Sequence, residues 1–258
     1  MKLGDVKSIG ILGAGVMGGG IAQCAIQAGQ KVIVRDLNDE ILARTKSTII
    51  DSRFGFKKAI ELGKMTQEAM DKALSLLTLT TKVEDVKNCD IIIEAIGGGE
   101  GGRLEDKPLK LRVFAELDKL VKKEAVFASN TSMFTIADLA EATNRKPLFV
   151  GFHLFSPANI MKLVEVTSTK DTLPEVAELM AELAKSWDKT PIMLKDVPGD
   201  KGFIGNRIMA AVRREAAEIL KEGVGTAEDI NTAMTLGFRW PAGPMPVRNA
   251  PSARTGWK

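Results

Sequence analysis

Two cysteines, Cys24 and Cys89, are the only thiols among 258 residues. Both sit inside apolar segments, which excludes a disulfide framework and fits a reducing compartment. No apolar run reaches the roughly 18 residues that a membrane span needs. Met1 to Asp5 lacks the hydrophobic stretch and cleavage site of a signal peptide. A cytoplasmic protein with no membrane partner is expected. Charge of one sign is also scarce: 36 Lys and Arg against 33 Asp and Glu leave a net +3. That excess is too small and too evenly spread for a nucleic-acid partner. There is no internal repeat. What is present is ordinary globular composition, 45% hydrophobic and 27% charged, in a length that suits one large domain or two.

The chain alternates strand and helix signals. Ser8–Leu12, Lys31–Arg35, Thr78–Val83, Asp90–Ile96 and Ala125–Ser129 read as strands. Several are apolar throughout, as strands covered on both faces are. Helices are expected over residues 39–53, 66–77, 109–122, 136–142 and 172–187. Leu148–Phe155 and Met161–Thr167 read as two paired strands. The alternation predicts an α/β fold with a doubly wound, mostly parallel sheet. Val197-Pro198-Gly199-Asp200-Lys201-Gly202 is rich in breakers and reads as a boundary. Beyond it come only helical patterns, Phe203–Lys221 and Thr226–Leu236. The domains expected are therefore residues 1–196 and an all-helical 197–258. Gly97–Gly102 holds five glycines in six residues and reads as a flexible insertion.

Gly13, Gly15 and Gly18 form G-x-G-x-x-G between the first strand and the first helix, the context that the motif needs. Gly13 permits the tight turn, Gly15 clears room for a pyrophosphate, and Gly18 lets helix and strand approach. The helix N-terminus, with Val16 and Met17, offers unpaired N–H groups to phosphate. Asp36 ends the second strand. A carboxylate there accepts from ribose hydroxyls and repels a 2′-phosphate, which favours NAD over NADP. Strand alternation points the adjacent Arg35 away from this site. These features make the first domain Rossmann-type.

The one histidine, His153, stands in Gly151-Phe152-His153-Leu154-Phe155-Ser156-Pro157. Glu165 lies among apolar neighbours in Met161-Lys162-Leu163-Val164-Glu165-Val166, and a buried carboxylate needs a partner. A hairpin turning around Ser156–Ile160 brings the two together. The pair is then either a general base with its orienting carboxylate or a structural ion pair; spacing alone favours neither.

The segment G-F-H-L-F-S-P-A-N-I-M-K-L-V-E-V resembles the catalytic segment of the 3-hydroxyacyl-CoA dehydrogenases. In that family it runs G-x-H-F-F-N-P, a few residues, then M-K-L-V-E-V. Ser129-Asn130-Thr131-Ser132 is similar to the family's S-N-T-S, and Gly202–Arg207 to its P-G-F-x-x-N-R. Glu222-Gly223-Val224 and Pro241-Ala242-Gly243-Pro244 resemble its later E-G-V and P-x-G-P. The likeness covers residues 6–246 in order.

The resemblance implies roles. His153 takes the proton of a 3-hydroxyl while hydride passes to NAD, and Glu165 supports the imidazolium. Ser132 bonds the 3-oxygen near the nicotinamide ribose, and Asn206 helps to position the reacting segment. Glu105 and Lys110, in a stretch aligned with the family's E-N-x-x-x-K, become cofactor contacts. Ser52 falls where the family touches coenzyme A. Lys57 and Lys58 beside it are either CoA-phosphate contacts or a solvated face. Ser156 replaces the family's Asn, so a direct contact to substrate becomes water-mediated. The pattern breaks off after Pro246, which implies a shortened helical domain, still expected to form a homodimer. The implied reaction interconverts (S)-3-hydroxyacyl-CoA and 3-oxoacyl-CoA, of short chain such as hydroxybutyryl. Two alternatives stay open: a dehydrogenase of a non-CoA hydroxy acid, and a non-catalytic dinucleotide binder.

Overall fold

Short runs of Ile, Val, Phe and Ala that have no polar face can be buried only in the middle of a sheet with helices on both sides. The computed structural model, which describes residues 1–97 and 105–246, places them there. The strands are β1 (Ser8–Leu12), β2 (Lys31–Arg35), β3 (Leu77–Thr80), β4 (Ile91–Glu94), β5 (Val126–Ser129), β6 (Phe149–Leu154), β7 (Leu163–Ser168) and β8 (Thr190–Lys195). They form one sheet in the order β3-β2-β1-β4-β5-β6-β7-β8. All neighbours are parallel except β6 and β7. The fold is the expected doubly wound, Rossmann-type α/β arrangement.

The helices are α1 (Val16–Gln27), α2 (Asp39–Asp51), α3 (Phe56–Glu61), α4 (Gln67–Ser75), α5 (Lys107–Leu120), α6 (Ile136–Ala140), α7 (Pro174–Ser186), α8 (Ile204–Lys221) and α9 (Ala227–Thr232). α1 packs on β1 and β2, and α7 on β6, β7 and β8. The core is drawn from both, with Ile9, Ile11, Ile21, Phe152, Val166, Met180 and Leu183 all buried. The chain reverses direction across the sheet between β1 and β4. At such a switch point a crevice opens outside the carboxyl ends of the strands.

Two compact units divide the chain, Met1–Lys201 and Gly202–Lys258. The second, as far as it is described, is helical: α8, then α9, which opens with a Thr226–Asp229 capping box and runs on into a further turn at Ala233–Gly237. Most of the glycine-rich stretch, Gly98–Gly102, and the segment 247–258 lie outside the described residues. The expectations missed two elements. The helix expected over 39–53 ends at Asp51, and α3 follows it. β8 carries Pro191 and is only half buried along its length, as an edge strand permits.

Among the described residues no helix is long and apolar enough to cross a membrane. Both cysteines are unbridged and buried, and burial pushes both thiols up from their ordinary range.

Candidate active site

The glycine loop is built as its motif requires. Gly13 adopts a φ of 98°, in the left-handed region that favours glycine. A Cβ at Gly18 would collide with the Gly13 carbonyl oxygen, whereas a Cβ at Gly15 would meet nothing within 4 Å. Gly18 therefore serves packing, and Gly15 faces open space. Asp36 locks the loop, its Oδ2 accepting from the Ala14 N–H at 2.5 Å and its Oδ1 from the Leu37 N–H at 2.6 Å. The Ala14 carbonyl accepts from the Thr45 hydroxyl.

Beside the loop opens a cavity of about 780 Å³, lined by Gly13, Gly15, Val16, Met17, Asp36 and, across from them, Ala95 and Ile96. Its size suits a cofactor. Gly15 caps α1 without a side-chain bond, which leaves N–H groups of the first turn for a phosphate. The residues present thus fit a dinucleotide. Arg35 lines the same cavity, contrary to the expectation from strand alternation. Arg35 is the last residue of β2, where the pleat no longer dictates the course of so long a side chain.

Beyond the cavity lies a network of charged and hydroxyl groups. Glu94, fully buried at the end of β4, accepts from Lys110 Nζ at 2.5 Å, Ser129 Oγ at 2.6 Å and the Ile96 N–H at 2.7 Å. Lys110 Nζ also reaches Glu105 Oε2 at 3.3 Å. Glu105 Oε1 accepts from both the N–H and the hydroxyl of Ser132, at 2.8 and 2.6 Å. Burial alone pushes the Glu105 carboxyl up, but the Lys110 charge and the Ser132 and Thr131 bonds outweigh it and hold the group below the usual carboxylate range. Glu94 escaped the sequence reading. The signal was a charged residue ending an otherwise apolar strand.

On the next strands the antiparallel register sets His153 directly opposite Glu165. Nδ1 of His153 lies 2.7 Å from Oε2 of Glu165. The histidine is 4% exposed and the glutamate 0%. A carboxylate can only accept, so facing one the ring carries its proton on Nδ1 and keeps the Nε2 lone pair free of this contact. Asn130 supports the strand, its Oδ1 accepting from the Leu154 N–H at 2.9 Å. Lys189, also absent from the sequence reading, pins the connection between β6 and β7. Its buried Nζ donates to the carbonyls of Ala158 at 2.6 Å and Met161 at 2.9 Å.

The remaining expected residues have these local settings. Ser52 caps the C-terminus of α2. Lys57 pairs with Asp51 and Lys58 with Glu61, each at 2.7 Å on the surface, as a solvated face would have it. Ser156 is exposed. Asn206 stands in the first turn of α8, in the second unit.

Comparison with known proteins supplies the context. Residues 8–197 match the model of the 3-hydroxyacyl-CoA dehydrogenase NAD binding domain, and residues 202–257 that of the same family's C-terminal domain. A probable 3-hydroxybutyryl-CoA dehydrogenase of Deinococcus radiodurans is 39% identical, over 92% of this chain and 80% of its own length. The human mitochondrial hydroxyacyl-coenzyme A dehydrogenase is 37% identical, over 93% of this chain and 74% of its own. Among solved structures, the (S)-3-hydroxybutyryl-CoA dehydrogenase of Ralstonia eutropha superposes with a TM-score of 0.85 at 33% identity, covering 93% of this chain and 80% of the other.

Proposed function

The chain belongs to the 3-hydroxyacyl-CoA dehydrogenase family, an NAD-dependent oxidoreductase family, and we propose from that premise that it interconverts (S)-3-hydroxyacyl-CoA and 3-oxoacyl-CoA of short acyl chain, with His153 and Glu165 as its proton-transfer pair. The observation that carries this reading is the 2.7 Å contact between His153 Nδ1 and Glu165 Oε2 inside the sheet.

When bound, NAD supplies the acceptor for the hydride that leaves C3 of the substrate. The protein handles the proton. Nε2 of His153 takes it from the 3-hydroxyl and returns it in the reverse direction. Glu165 fixes the tautomer through Nδ1 and offsets the positive charge that the ring gains. Ser132 bonds the 3-oxygen. Its hydroxyl donates to Glu105 here and turns to donate to the 3-oxygen when substrate binds, which leaves the one proton of the substrate hydroxyl for His153. Glu105 and Lys110, tied to buried Glu94, hold that serine in place beside the cavity. Asp36 accepts from the adenosine ribose. Gly13, Gly15, Val16, Met17 and Gly18 form the phosphate cradle.

Several finer assignments extend the proposal. Ser52 contacts the acyl-CoA and Ser156 reaches it through a water, with Lys58 meeting a CoA phosphate only by leaving Glu61. Asn206 positions the reacting segment. Residues 1–196 bind the dinucleotide, while the helical remainder serves substrate and a second copy of the chain. The exposed Val224, Leu236 and Phe238 of the second unit supply apolar surface for such a homodimer. A cytoplasmic setting completes the reading.

NADH oxidation with acetoacetyl-CoA tests the substrate class. Turnover inhibited competitively by free CoA is expected. Turnover of free hydroxy acids with indifference to CoA would instead identify a non-CoA dehydrogenase. NADH binding without any turnover would leave only a dinucleotide binder.

A further inference from the structure

Arg35, which takes no part in the proposed proton transfer, lines the cavity with Gly13, Gly15, Asp36 and Leu37. Its Nε is shielded from solvent without a hydrogen-bond partner. Among the described residues no carboxylate lies within ion-pair distance of its guanidinium, Asp36 included. The oxygens of Asp36 are turned instead to the N–H groups of Ala14 and Leu37. Two opposite charges on consecutive residues thus line one cavity without neutralising each other.

We propose that Arg35 is a preformed contact for a 2′-phosphate on the adenosine ribose, held in check by Asp36. The proposal rests on the dinucleotide reading of the cavity and goes beyond it, from NAD binding to the pair of residues that sets cofactor choice. Asp36 repels a 2′-phosphate and favours a 2′-hydroxyl. A guanidinium is always charged, planar and fork-shaped, and it matches phosphate oxygens two at a time. An arginine without an ion-pair partner on the cavity wall offers that match with no competing carboxylate to displace. Removing the Asp36 charge therefore does more than weaken preference for the hydroxyl, because it leaves a cation unopposed. Asparagine is the suitable replacement, since its Oδ1 still accepts from the Ala14 N–H and keeps the loop braced.

Calorimetric titration of the full chain with ADP-ribose and with 2′-phospho-ADP-ribose, with no substrate present, tests this. The wild type is expected to favour ADP-ribose. Asp36→Asn is expected to tighten 2′-phospho-ADP-ribose by about tenfold or more, an effect weakened by added salt. Arg35→Gln in that background is expected to remove the gain while changing ADP-ribose by about twofold at most. Thermal melts confirm that each variant is folded. Retention of the gain without Arg35, or equal weakening of both probes, overturns the proposal. If neither probe binds the wild type, the dinucleotide reading fails first and the proposal falls with it. If ADP-ribose binds and Arg35 makes no difference, only the present inference falls.

Discussion

His153 and Glu165 are directly opposed residues of β6 and β7, the one antiparallel pair in an otherwise parallel sheet. The inversion matters because residues directly opposite in such a pair lie close enough for side chains on one face to touch. Both groups are buried, so their 2.7 Å contact is little screened by water.

Glu165→Gln keeps the shape and removes the charge. An amide can donate to Nδ1 and so favour the wrong tautomer. The expected result is a loss of kcat within the ~10²–10⁴-fold worth of positioned proton transfer, with KM for NADH unchanged. Steady-state kinetics with acetoacetyl-CoA measure both.

Gly15 and Gly18 separate binding from packing. Gly15→Val projects into open space, so thermal stability should hold while NADH affinity falls by about tenfold or more, from lost approach to the pyrophosphate. Gly18→Ala meets the Gly13 carbonyl and should lower the melting temperature itself. Fluorescence titration with NADH and calorimetry on the two variants distinguish the cases.

Arg145 is a buried staple. Its guanidinium pairs with Asp118 at 2.6 Å and donates to the carbonyls of Asp118, Val121, Lys122 and Ala125. The two side chains are 5% and 7% exposed. Arg145→Met should cost about 3–5 kcal/mol of folding stability, because the Asp118 charge and four carbonyls lose their donor. Urea unfolding measures the loss.

Stability should fall in acid. Burial pushes Asp90 and Asp118 up, but hydrogen bonds outweigh it in both. Asp90 is held down by Lys122 and the N–H groups of Lys7 and Ser8, and Asp118 by Asn144 and Arg145. Glu105 is lowered likewise. A carboxyl lowered in the folded state contributes stability above its unfolded value, about 4, and loses it as pH falls through the folded value. Asp196 works in the opposite sense, since burial raises it despite bonds from the Ala137 and Ile136 N–H groups. Its contribution is present below its unfolded value and is lost as pH rises through the folded one. Because the lowered carboxyls, Asp200 among them, outnumber the raised one, unfolding free energy should decline below about pH 4. Asp118→Asn should flatten part of that decline in a pH series of urea melts.

Much of this was legible in the residues because burial writes itself into sequence. β1, β4 and β5 are apolar runs with no polar face, and the glycine fingerprint sits where a strand meets a helix. The register of His153 and Glu165 followed from counting along one hairpin. β8 was not legible, because an edge strand tolerates Pro191 and partial exposure. Contacts made by long side chains were not legible either. Strand alternation fixes a Cβ direction, but not where Arg35 sends its guanidinium or how Lys189 reaches two carbonyls. Glu94 and Lys110 meet only because a strand end and a helix 16 residues apart are brought together.

The most direct measurement compares wild type with His153→Gln in NADH-dependent reduction of acetoacetyl-CoA. A folded variant that binds NADH normally and turns over about 10²-fold or more slowly is the predicted result. Turnover at the wild-type rate would show that the imidazole moves no proton and would contradict the mechanism.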